Sequence, residues 1–427
     1  KYYAFQLNAY DFGIFQSILE GIINHNFGYS SVVGFYHFGT HQNYILFLIA
    51  PIYNTFHSAA TLQTIIAIVI WLTAVVIWFI CQFYQLNNFY CFIIILTFLL
   101  SPMNGLDNNF MPETFLPLFF SLVYLFYLQQ KLFYYTIAII LSLSVKEDAT
   151  LYILGFGGFL LYSKSYKYAI ITILFALMCM YLNLKIIQPY FVHKSHMLEP
   201  TTLNYWSQWG SNKSEIFINL LTHPLDIIKQ LFDSKSGIYR LYLPLLLLPF
   251  FVPEVLLASI LIILMFATSN NPTIHSYKSY YAITLNLIAF IGIIKIMSDL
   301  NKYASRIKAL FLIALVIFPL WGTGWQNFWY FDYKVFINYT YLENYLHQNQ
   351  LKSQKLCPQS NLYPMILASG FATTTFDNSG YYFSKQHDCL MILTKYGNLY
   401  PFNLQQVNQQ ILLFNCSSFK NFYLCTR

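Results

Sequence analysis

The sequence predicts an all-α membrane protein that crosses the bilayer about ten times and ends in a small α/β domain. Composition is the first observation: 57% of the 427 residues are hydrophobic and 9% are charged, against roughly 25% charged residues in soluble domains. The second is a mean hydropathy of +0.50. A soluble fold has too little interior to bury so many apolar side chains, whereas a bilayer surrounds them with hydrocarbon. Both observations therefore favour a helical bundle in lipid.

Apolar runs divide the chain into candidate membrane spans. They are residues 62–83, 89–100, 115–128, 132–145, 149–162, 168–187, 241–252, 255–267, 281–297 and 307–321. Several are shorter than the roughly 20 residues that a span needs, so we expect their ends to extend into the flanking polar residues. The run 44–56 is interrupted by Pro51 and is too short to span. A juxtamembrane or re-entrant helix is the prediction there.

Positive charges in the short loops predict the orientation of these spans. Loops rich in Lys and Arg lie on the cytoplasmic side of a membrane. The basic residues that follow alternate spans, and so share one side, are Lys131, Lys164, Lys167, Lys295, Lys302, Arg306 and Lys308. The opposite side then receives external loops 1–60 and 188–240. We expect residues 1–326 to form the transmembrane domain and residues 327–427 an extracytoplasmic domain.

The C-terminal segment is the second unit of the predicted architecture. It contains four of the seven cysteines: Cys357, Cys389, Cys416 and Cys425. An even number of cysteines in a segment predicted to face an oxidising compartment indicates two disulfides, with the pairing left open. Their spacing lacks the CxxC pattern of zinc sites. Short apolar runs predict strands at residues 362–367, 390–393 and 410–414.

The net charge does not predict nucleic-acid binding, and the first residues do not predict a signal peptide. The net charge of +7 is modest and dispersed, and no basic patch interleaved with aromatic residues indicates nucleic-acid binding. The chain begins at Lys1 without a charged or apolar leader region, so it shows no signal peptide. We expect that a further segment precedes it.

Carboxylates at the ends of spans are the candidate functional groups, because charge next to lipid is costly. Those predicted to share the outer face are Asp11, Asp107, Glu113, Glu147 and Asp148. Basic candidates on the same face are His41, Lys146, His275 and Lys278. Structural interpretations also exist: a helix N-cap for Asp11, a helix-dipole contact for Glu113 and a solvated turn for residues 146–148. A lone His41 is equally typical of a structural hydrogen bond. Convergence on one face favours a functional site.

Short motifs in a fixed order carry a family resemblance. They are YDFGIFQ at residues 10–16, GTH at 39–41, FMPE at 110–113, VKEDA at 145–149, LLTHP at 220–224, VPE at 252–254 and SNNPTIH at 269–275. The chain resembles a prokaryotic family of predicted membrane proteins of unknown function, grouped with the GT-C superfamily of polyprenyl-phosphate-sugar glycosyltransferases. Members carry a helix before the first motif, so we expect one more span upstream. The resemblance also implies a multi-pass protein of the bacterial inner membrane.

The resemblance implies transfer of a sugar from a polyprenyl-phosphate donor to a lipid or cell-envelope acceptor. Asp11 matches the acid of the first external loop and would be the general base. Glu113, or less closely Asp107, matches the acid of the second, and with Glu147 it would orient substrate or bind metal. The remaining candidates would bind the substrate and its leaving phosphate: His41, Lys146, Asp148, His275 and Lys278.

A metal ion is left open by the resemblance. Some GT-C enzymes use a divalent ion, Mg²⁺ or Mn²⁺, and others use none; Asp11 and Glu113 are the candidate ligands. This chain carries Thr40, Asn109 and Met111 where family members usually carry Asp, Asp and His. Those replacements favour an alternative, a non-catalytic accessory protein. A second alternative, a transporter or flippase of lipid-linked solutes, predicts paired charges deep inside spans, which the sequence does not show. The oligomeric state is not predicted.

Overall fold

The computed structural model describes most of the helical part of the chain and portions of the C-terminal segment. The described residues are 12–101, 110–196, 201–232, 248–271, 274, 280–300, 333–348, 356–369, 390–395 and 403–426. Several predictions lie outside them, namely those for Asp11, Asp107, His275, Lys278, Cys389, the span 307–321 and most of the span 241–252.

The segment before the long helices folds into short elements. They are α1 (Ile14–Ile23), the hairpin of β1 (Tyr29–Ser30) and β2 (Phe35–Tyr36), a 3₁₀-turn (His37–Gly39) and α2 (Leu46–Thr55). Helix α2 occupies the apolar run that contains Pro51, and at 10 residues it is far shorter than a span. Gly39 lies against the later helix of Val192, and a Cβ there would approach the Val192 nitrogen to 3.1 Å. This contact ties the loop to the bundle.

Six helices follow in up-and-down order. They are α3 (Ala59–Phe83), α4 (Asn88–Leu100), α5 (Phe115–Leu128, preceded by the 3₁₀-turn Pro112–Thr114), α6 (Leu132–Leu143), α7 (Ala149–Tyr162) and α8 (Tyr166–Leu182). Each coincides with a predicted apolar run. Gln85, Gln130 and Lys164 adopt positive φ of 55°, 57° and 59° just after α3, α5 and α7. Such left-handed residues end a helix and let the chain reverse within a few residues.

Helix α8 continues through a π-helical turn (Asn183–Ile187) into α9 (Gln188–Lys194). Pro189 explains the distortion, because proline cannot donate a helical hydrogen bond and its ring clashes with the preceding turn. A 3₁₀-helix (Thr201–Trp209) and two short helices, α10 (Lys213–Thr222) and α11 (Pro224–Phe232), follow. The bundle is completed by the 3₁₀-turn Leu248–Phe251, α12 (Pro253–Thr268), a 3₁₀-turn (Tyr280–Ala282) and α13 (Ile283–Leu300).

Within the described residues, two helices are long and apolar enough to cross a membrane, Ala59–Phe83 and Tyr166–Lys194. The second exposes large apolar side chains along its length, including Ile170, Leu174 and Tyr181. Water does not favour such a surface, but lipid hydrocarbon does. Apolar helices α4 to α7 and α12 are shorter, at 12 to 17 residues with adjoining 3₁₀-turns included.

Helices α7 and α12 cross closely at Gly155, where a Cβ would lie 2.5 Å from the Leu257 carbonyl oxygen. The bundle has two ends, one on each side of this crossing. The end that holds the α6–α7 turn, the starts of α5 and α13 and the end of α12 is called the loop end below. At the other end, Ser298 Oγ donates to the Tyr84 carbonyl oxygen at 3.2 Å.

One basic residue lies elsewhere than predicted. The prediction that Lys295 belongs to a short cytoplasmic loop is wrong, because it lies within α13 and pairs with Glu254 at the start of α12. An opposite charge on the neighbouring helix lets a Lys remain inside an otherwise apolar helix.

The C-terminal segment contains a four-stranded sheet. Its elements are α14 (Tyr333–Gln348), β3 (Leu356–Pro358), α15 (Tyr363–Ala368), β4 (Leu390–Thr394), α16 (Leu404–Leu413), β5 (Asn415–Phe419) and β6 (Phe422–Thr426). The strand order is β3-β4-β6-β5, with β3 parallel to β4 and the other pairs antiparallel. Gln16 of α1 donates to the Pro364 carbonyl oxygen at 3.0 Å, so the C-terminal segment contacts α1.

The strand predicted at 390–393 is confirmed by β4, whereas those at 362–367 and 410–414 are wrong, because both stretches fall on helices. Pro364 occupies the first turn of α15, a position that favours helix initiation. Helix α16 starts with a capping box between Asn403 and Gln406. Cys416 and Cys425 form a disulfide between directly opposed positions of β5 and β6, and Cys357 is disulfide-bonded as well. Disulfide formation in this segment agrees with the sequence prediction.

Candidate functional site

A cavity of about 340 Å³ opens at the loop end. Four charged or titratable side chains line it: His41, Lys146, Glu147 and Asp148. Apolar side chains from helices α7, α8 and α12 form another part of the lining, among them Leu151, Met180 and Met265. One region of the cavity therefore concentrates charge, and another is hydrocarbon-like. Such a division suits an amphiphilic ligand.

The charged region is built on the turn between α6 and α7. Two hydrogen bonds from the segment before α2 hold this turn: Ile45 N–H donates to the Ser144 carbonyl oxygen at 2.9 Å, and Asn43 Nδ2 donates to the Val145 carbonyl oxygen at 2.7 Å. Residues 146–148 then form the entry to α7. Lys146 is only 3% exposed. The interpretation of these residues as a solvated turn is therefore wrong.

Lys146 forms a buried ion pair with Glu113. Its Nζ lies 2.6 Å from Glu113 Oε1 and 4.0 Å from Asp148 Oδ2, and it sits over the Tyr281 ring, 4.5 Å from the centroid. Burial lowers the pKa of Lys146, but attraction to Glu113 and the other acids outweighs it and raises that pKa above its usual value. Lys146 is thus a permanent positive charge beside the cavity.

Glu113 does not line the cavity but lies behind Lys146. Its Oε2 is buried and has no hydrogen-bond partner among the residues that the structure describes. The Glu113 side chain reaches this position from the turn that precedes α5, on a loop distant in sequence from Lys146. Its role in this geometry is to hold and compensate the charge of Lys146.

Glu147 is held through both carboxylate oxygens. Oε1 lies 2.7 Å from His41 Nδ1, and Oε2 accepts a hydrogen bond from the Gln42 backbone N–H at 3.1 Å. Burial raises the pKa of Glu147, but the contacts with His41 and the charge of Lys146 lower it to about 2. Glu147 is therefore ionised at all physiological pH values, and it orients the His41 ring.

Asp148 is the carboxylate with the greatest freedom to exchange a proton. It lines the cavity, and its nearest ionic contact, with Lys146 Nζ, is at 4.0 Å, beyond hydrogen-bonding distance. Burial and the negative charge of Glu147 raise the pKa of Asp148, and the positive charge of Lys146 lowers it. The net effect is a pKa of about 6. A carboxylate with a pKa close to the working pH can accept and return protons efficiently.

His37 shows the structural alternative to a functional histidine. It is buried, its Nε2 lies 2.9 Å from Asn43 Oδ1, and its ring centroid lies 5.5 Å from that of His41. Burial and the neighbouring His41 lower the pKa of His37 to about 3, so the ring stays neutral. His41 lines the cavity while His37 supports the loop behind it.

The aromatic wall of the cavity was missed by sequence reasoning. Tyr205, Trp206 and Tyr281 line it. Trp206 Nε1 donates to Thr268 Oγ1 at 3.2 Å, and Trp209 Nε1 donates to the Thr268 carbonyl oxygen at 2.8 Å. These bonds hold the 3₁₀-helix of residues 201–209 against the end of α12. The run NYWSQW at residues 204–209 of a predicted external loop is a signal that could have indicated a wall of this kind.

All five predicted site residues that the structure describes lie together at the loop end. They are His41, Glu113, Lys146, Glu147 and Asp148. Ile274, which precedes His275 in the chain, also lines the cavity. Phe15 of α1 makes ring contacts with His37 and Phe110, so the start of α1 lies beside the same loops.

Few of the described side chains are placed to act as ligands of a metal ion. Within the described ranges, no group of three or more His, Cys, Asp or Glu residues could hold an ion. Glu113, one of the two candidate ligands, already has Lys146 against its Oε1. Glu113 Oε1 is therefore engaged by Lys146, and Asp11, the other candidate ligand, lies outside the residues that the structure describes.

The family comparison covers this whole site. A family model described as a predicted membrane protein, DUF2079, matches residues 1–349. The matched stretch includes the charged cluster and the helices that surround the cavity. No curated protein matches the chain.

Proposed function

The chain belongs to the DUF2079 family of predicted membrane proteins, and from that premise we propose that it is a membrane glycosyltransferase whose active site is the loop-end cavity. The observation that carries the proposal is the pairing of an acid–base cluster with an apolar wall in one cavity. The donor would be a polyprenyl-phosphate sugar, and the acceptor a hydroxyl of a lipid or cell-envelope glycan.

We further propose a multi-pass arrangement of about ten spans in a bacterial inner membrane, with the loop end outside the cytoplasm. The apolar surface of helix Tyr166–Lys194 supports insertion in lipid. The Cys416–Cys425 disulfide supports an oxidising compartment for the C-terminal domain, residues 327–427. Antiparallel helices joined by short turns place successive loops on alternate sides.

In this proposal the charged part of the cavity binds the phosphate of the donor, and the apolar part binds its prenyl chain. The positive charge of Lys146, with His41 beside it, attracts the phosphate. The prenyl chain packs along Leu184 and Met265, where apolar contact replaces water. Trp206 presents an aromatic face of the kind on which a sugar ring can stack. His275 and Lys278 remain proposed phosphate ligands.

Transfer requires that an acceptor hydroxyl lose a proton as its oxygen attacks the anomeric carbon. Asp148 takes that proton in our proposal, because it lines the cavity and its pKa of about 6 leaves it mostly ionised at neutral pH. The bond between the anomeric carbon and the phosphate oxygen breaks, and polyprenyl phosphate leaves with the bonding electrons, stabilised by Lys146. Glu147 orients His41, and Glu113 holds Lys146. Asp11, the acid implied by the resemblance, is the competing base.

The test is a transfer assay with the full chain reconstituted in liposomes. Undecaprenyl-phosphate sugars with a labelled sugar serve as donors and a cell-envelope lipid extract as acceptor. Loss of the general base through Asp148→Asn should lower transfer by roughly 10²–10⁴-fold. Asp226→Asn, at an exposed acid of α11, is the matched control and should leave transfer unchanged.

Two outcomes would contradict parts of the proposal. Full activity of Asp148→Asn with loss of activity in Asp11→Asn would move the base to Asp11. Movement of intact donor across the liposome membrane, with no release of undecaprenyl phosphate, would replace the enzyme by a transporter.

A further inference from the structure

Helices α10 and α11 form a hairpin with an apolar face turned away from the rest of the protein. Phe217, Ile218 and Leu221 of α10 are each more than half exposed. Leu225 of α11 is 70% exposed, and Ile228 continues the same face. Large apolar side chains at spacings of three and four residues share one side of a helix. Five such residues on two consecutive helices form a surface that water does not favour.

Polar side chains flank this apolar face. Asp226 and Lys229 pair at 3.4 Å on α11, and the Lys229 side chain is 79% exposed. Glu215 of α10 accepts hydrogen bonds from the Ser211 backbone N–H and hydroxyl. Short helices with a polar and an apolar face are typical of segments that lie in the plane of a membrane surface.

The hairpin is attached to the cavity wall. Asn219 Nδ2 of α10 donates to the Trp209 carbonyl oxygen at 2.6 Å, and Trp209 in turn donates to the Thr268 carbonyl oxygen at the end of α12. Helix α11 also packs against α12. The hairpin therefore lies beside apolar bundle helices, and its position is coupled to that of the aromatic wall.

We propose that the α10–α11 hairpin is embedded in the membrane interface, with its apolar face in the acyl-chain boundary and its polar face toward water. Phospholipid is favoured as the occupant because helix α2 at the same end of the bundle also exposes large apolar side chains, Leu48 and Ile52. Apolar side chains are thus exposed on more than one element at this end, as a lipid surface would allow. The interface holds the 3₁₀-helix of residues 201–209, and so the aromatic wall, at the depth of the lipid head groups. This assignment does not depend on the transfer reaction.

Fluorescence quenching in phospholipid nanodiscs tests the assignment on the full chain. Leu225→Cys is labelled with bimane, and Asp226→Cys, about 100° further around the helix and itself exposed, is the matched control. Neither substitution removes a packed side chain, so both should fold. Unsubstituted protein treated with bimane corrects for Cys81, Cys91 and Cys179, the free cysteines of the described residues. Brominated phosphatidylcholine quenches labels in the acyl-chain boundary, and aqueous iodide quenches labels in water.

Embedding predicts that brominated lipid lowers the emission at position 225 by roughly twofold or more, because interfacial helices sit about 5–10 Å into the boundary. The label at position 226 should respond to iodide instead. Quenching of position 225 by iodide and not by lipid would overturn the proposal, since the face would then contact water. Protection of position 225 from both quenchers would also overturn it, in favour of a second copy or another protein.

Discussion

Among the described residues of the bundle, two lysines pair with buried glutamates, one pair near each end, and the two pairs differ in what surrounds them. Lys146 pairs with Glu113 at the loop end, and Lys295 pairs with Glu254 at the other. Each glutamate directly follows a proline at a helix start. The local sequence signal is therefore the same in both places, and the neighbourhoods distinguish the pairs.

The neighbours of the Lys146 pair are charged. Asp148, Glu147 and His41 lie beside it, and the cavity of about 340 Å³ reaches the group. Around Glu254 the lining is Phe120, Tyr124 and Phe156, with a void of about 10 Å³. A pair whose glutamate lies among apolar side chains, with no cavity beside it, can serve only packing and orientation. One that borders a cavity with additional acids can also act on a ligand.

The largest effect is expected when the Lys146–Glu113 pair, which borders the cavity, is broken. Lys146→Met should abolish transfer and lower the free energy of unfolding by about 3–5 kcal/mol, because Glu113 is left charged and buried without its partner. Activity in liposomes and thermal unfolding measure the two losses. The double variant Glu113→Gln/Lys146→Met should recover most of the stability while remaining inactive. Recovery of activity in the double variant would show that the pair is structural only.

A smaller effect is expected at the structural pair. Lys295→Met should lower the free energy of unfolding by about 1–3 kcal/mol, less than Lys146→Met, because the Lys295 side chain is 30% exposed and partly solvated. Transfer per folded molecule should stay unchanged. Thermal unfolding and an activity assay normalised to folded protein check both points. A selective loss of transfer would mean that both pairs are functional, and the comparison would fail.

The smallest effect is a pH dependence. Asp148 has a pKa of about 6, and the base must be ionised to accept a proton. Transfer should therefore be constant above about pH 7 and fall by about tenfold per pH unit below about pH 6. Glu147, with a pKa of about 2, stays ionised across this range. Rates measured from pH 5 to 8 in Asp148→Asn should lack the slope. An unchanged profile in that variant would assign the titration to another group.

The same raised pKa has a consequence for stability. A carboxyl group whose pKa is higher in the folded state than in the unfolded state favours folding at low pH. That contribution is lost as pH rises from about 4 through about 6. Asp148 therefore opposes stability at neutral pH, as expected of a residue retained for proton transfer. Asp148→Asn should unfold at a temperature no lower than the original chain at pH 7.

The helices of the bundle were predictable because the signal for them is local. The predicted run 149–162 coincides with α7, and the run 115–128 coincides with α5. Long apolar stretches bounded by charged or turn residues leave little choice of structure. Short apolar runs are ambiguous, and the stretches of α15 and α16 were wrongly assigned to strands for that reason. The proline in α15 and the capping box in α16 were the better indicators.

The charged cluster was predictable only in part. Because a charge beside lipid is costly, the sequence indicates Glu113, Lys146 and Glu147 as candidate site residues. It does not indicate which of them form pairs. Glu113 was expected to face substrate and instead lies behind Lys146. The aromatic wall of Tyr205 and Trp206 arises from a loop that is distant in sequence from the α6–α7 turn. No periodic pattern connects such segments.

By itself the sequence determined that this protein is apolar and helical, and which few charged residues stand at the ends of its helices. Those properties follow from side-chain type and short-range spacing, which act along the chain. Only the tertiary structure decided that Glu147 is held by His41 while Asp148 keeps a pKa near neutrality, and that one Lys–Glu pair borders a cavity while the glutamate of the other lies among apolar side chains. Proton affinity depends on burial and on charges within a few ångströms, and folding alone brings those charges together.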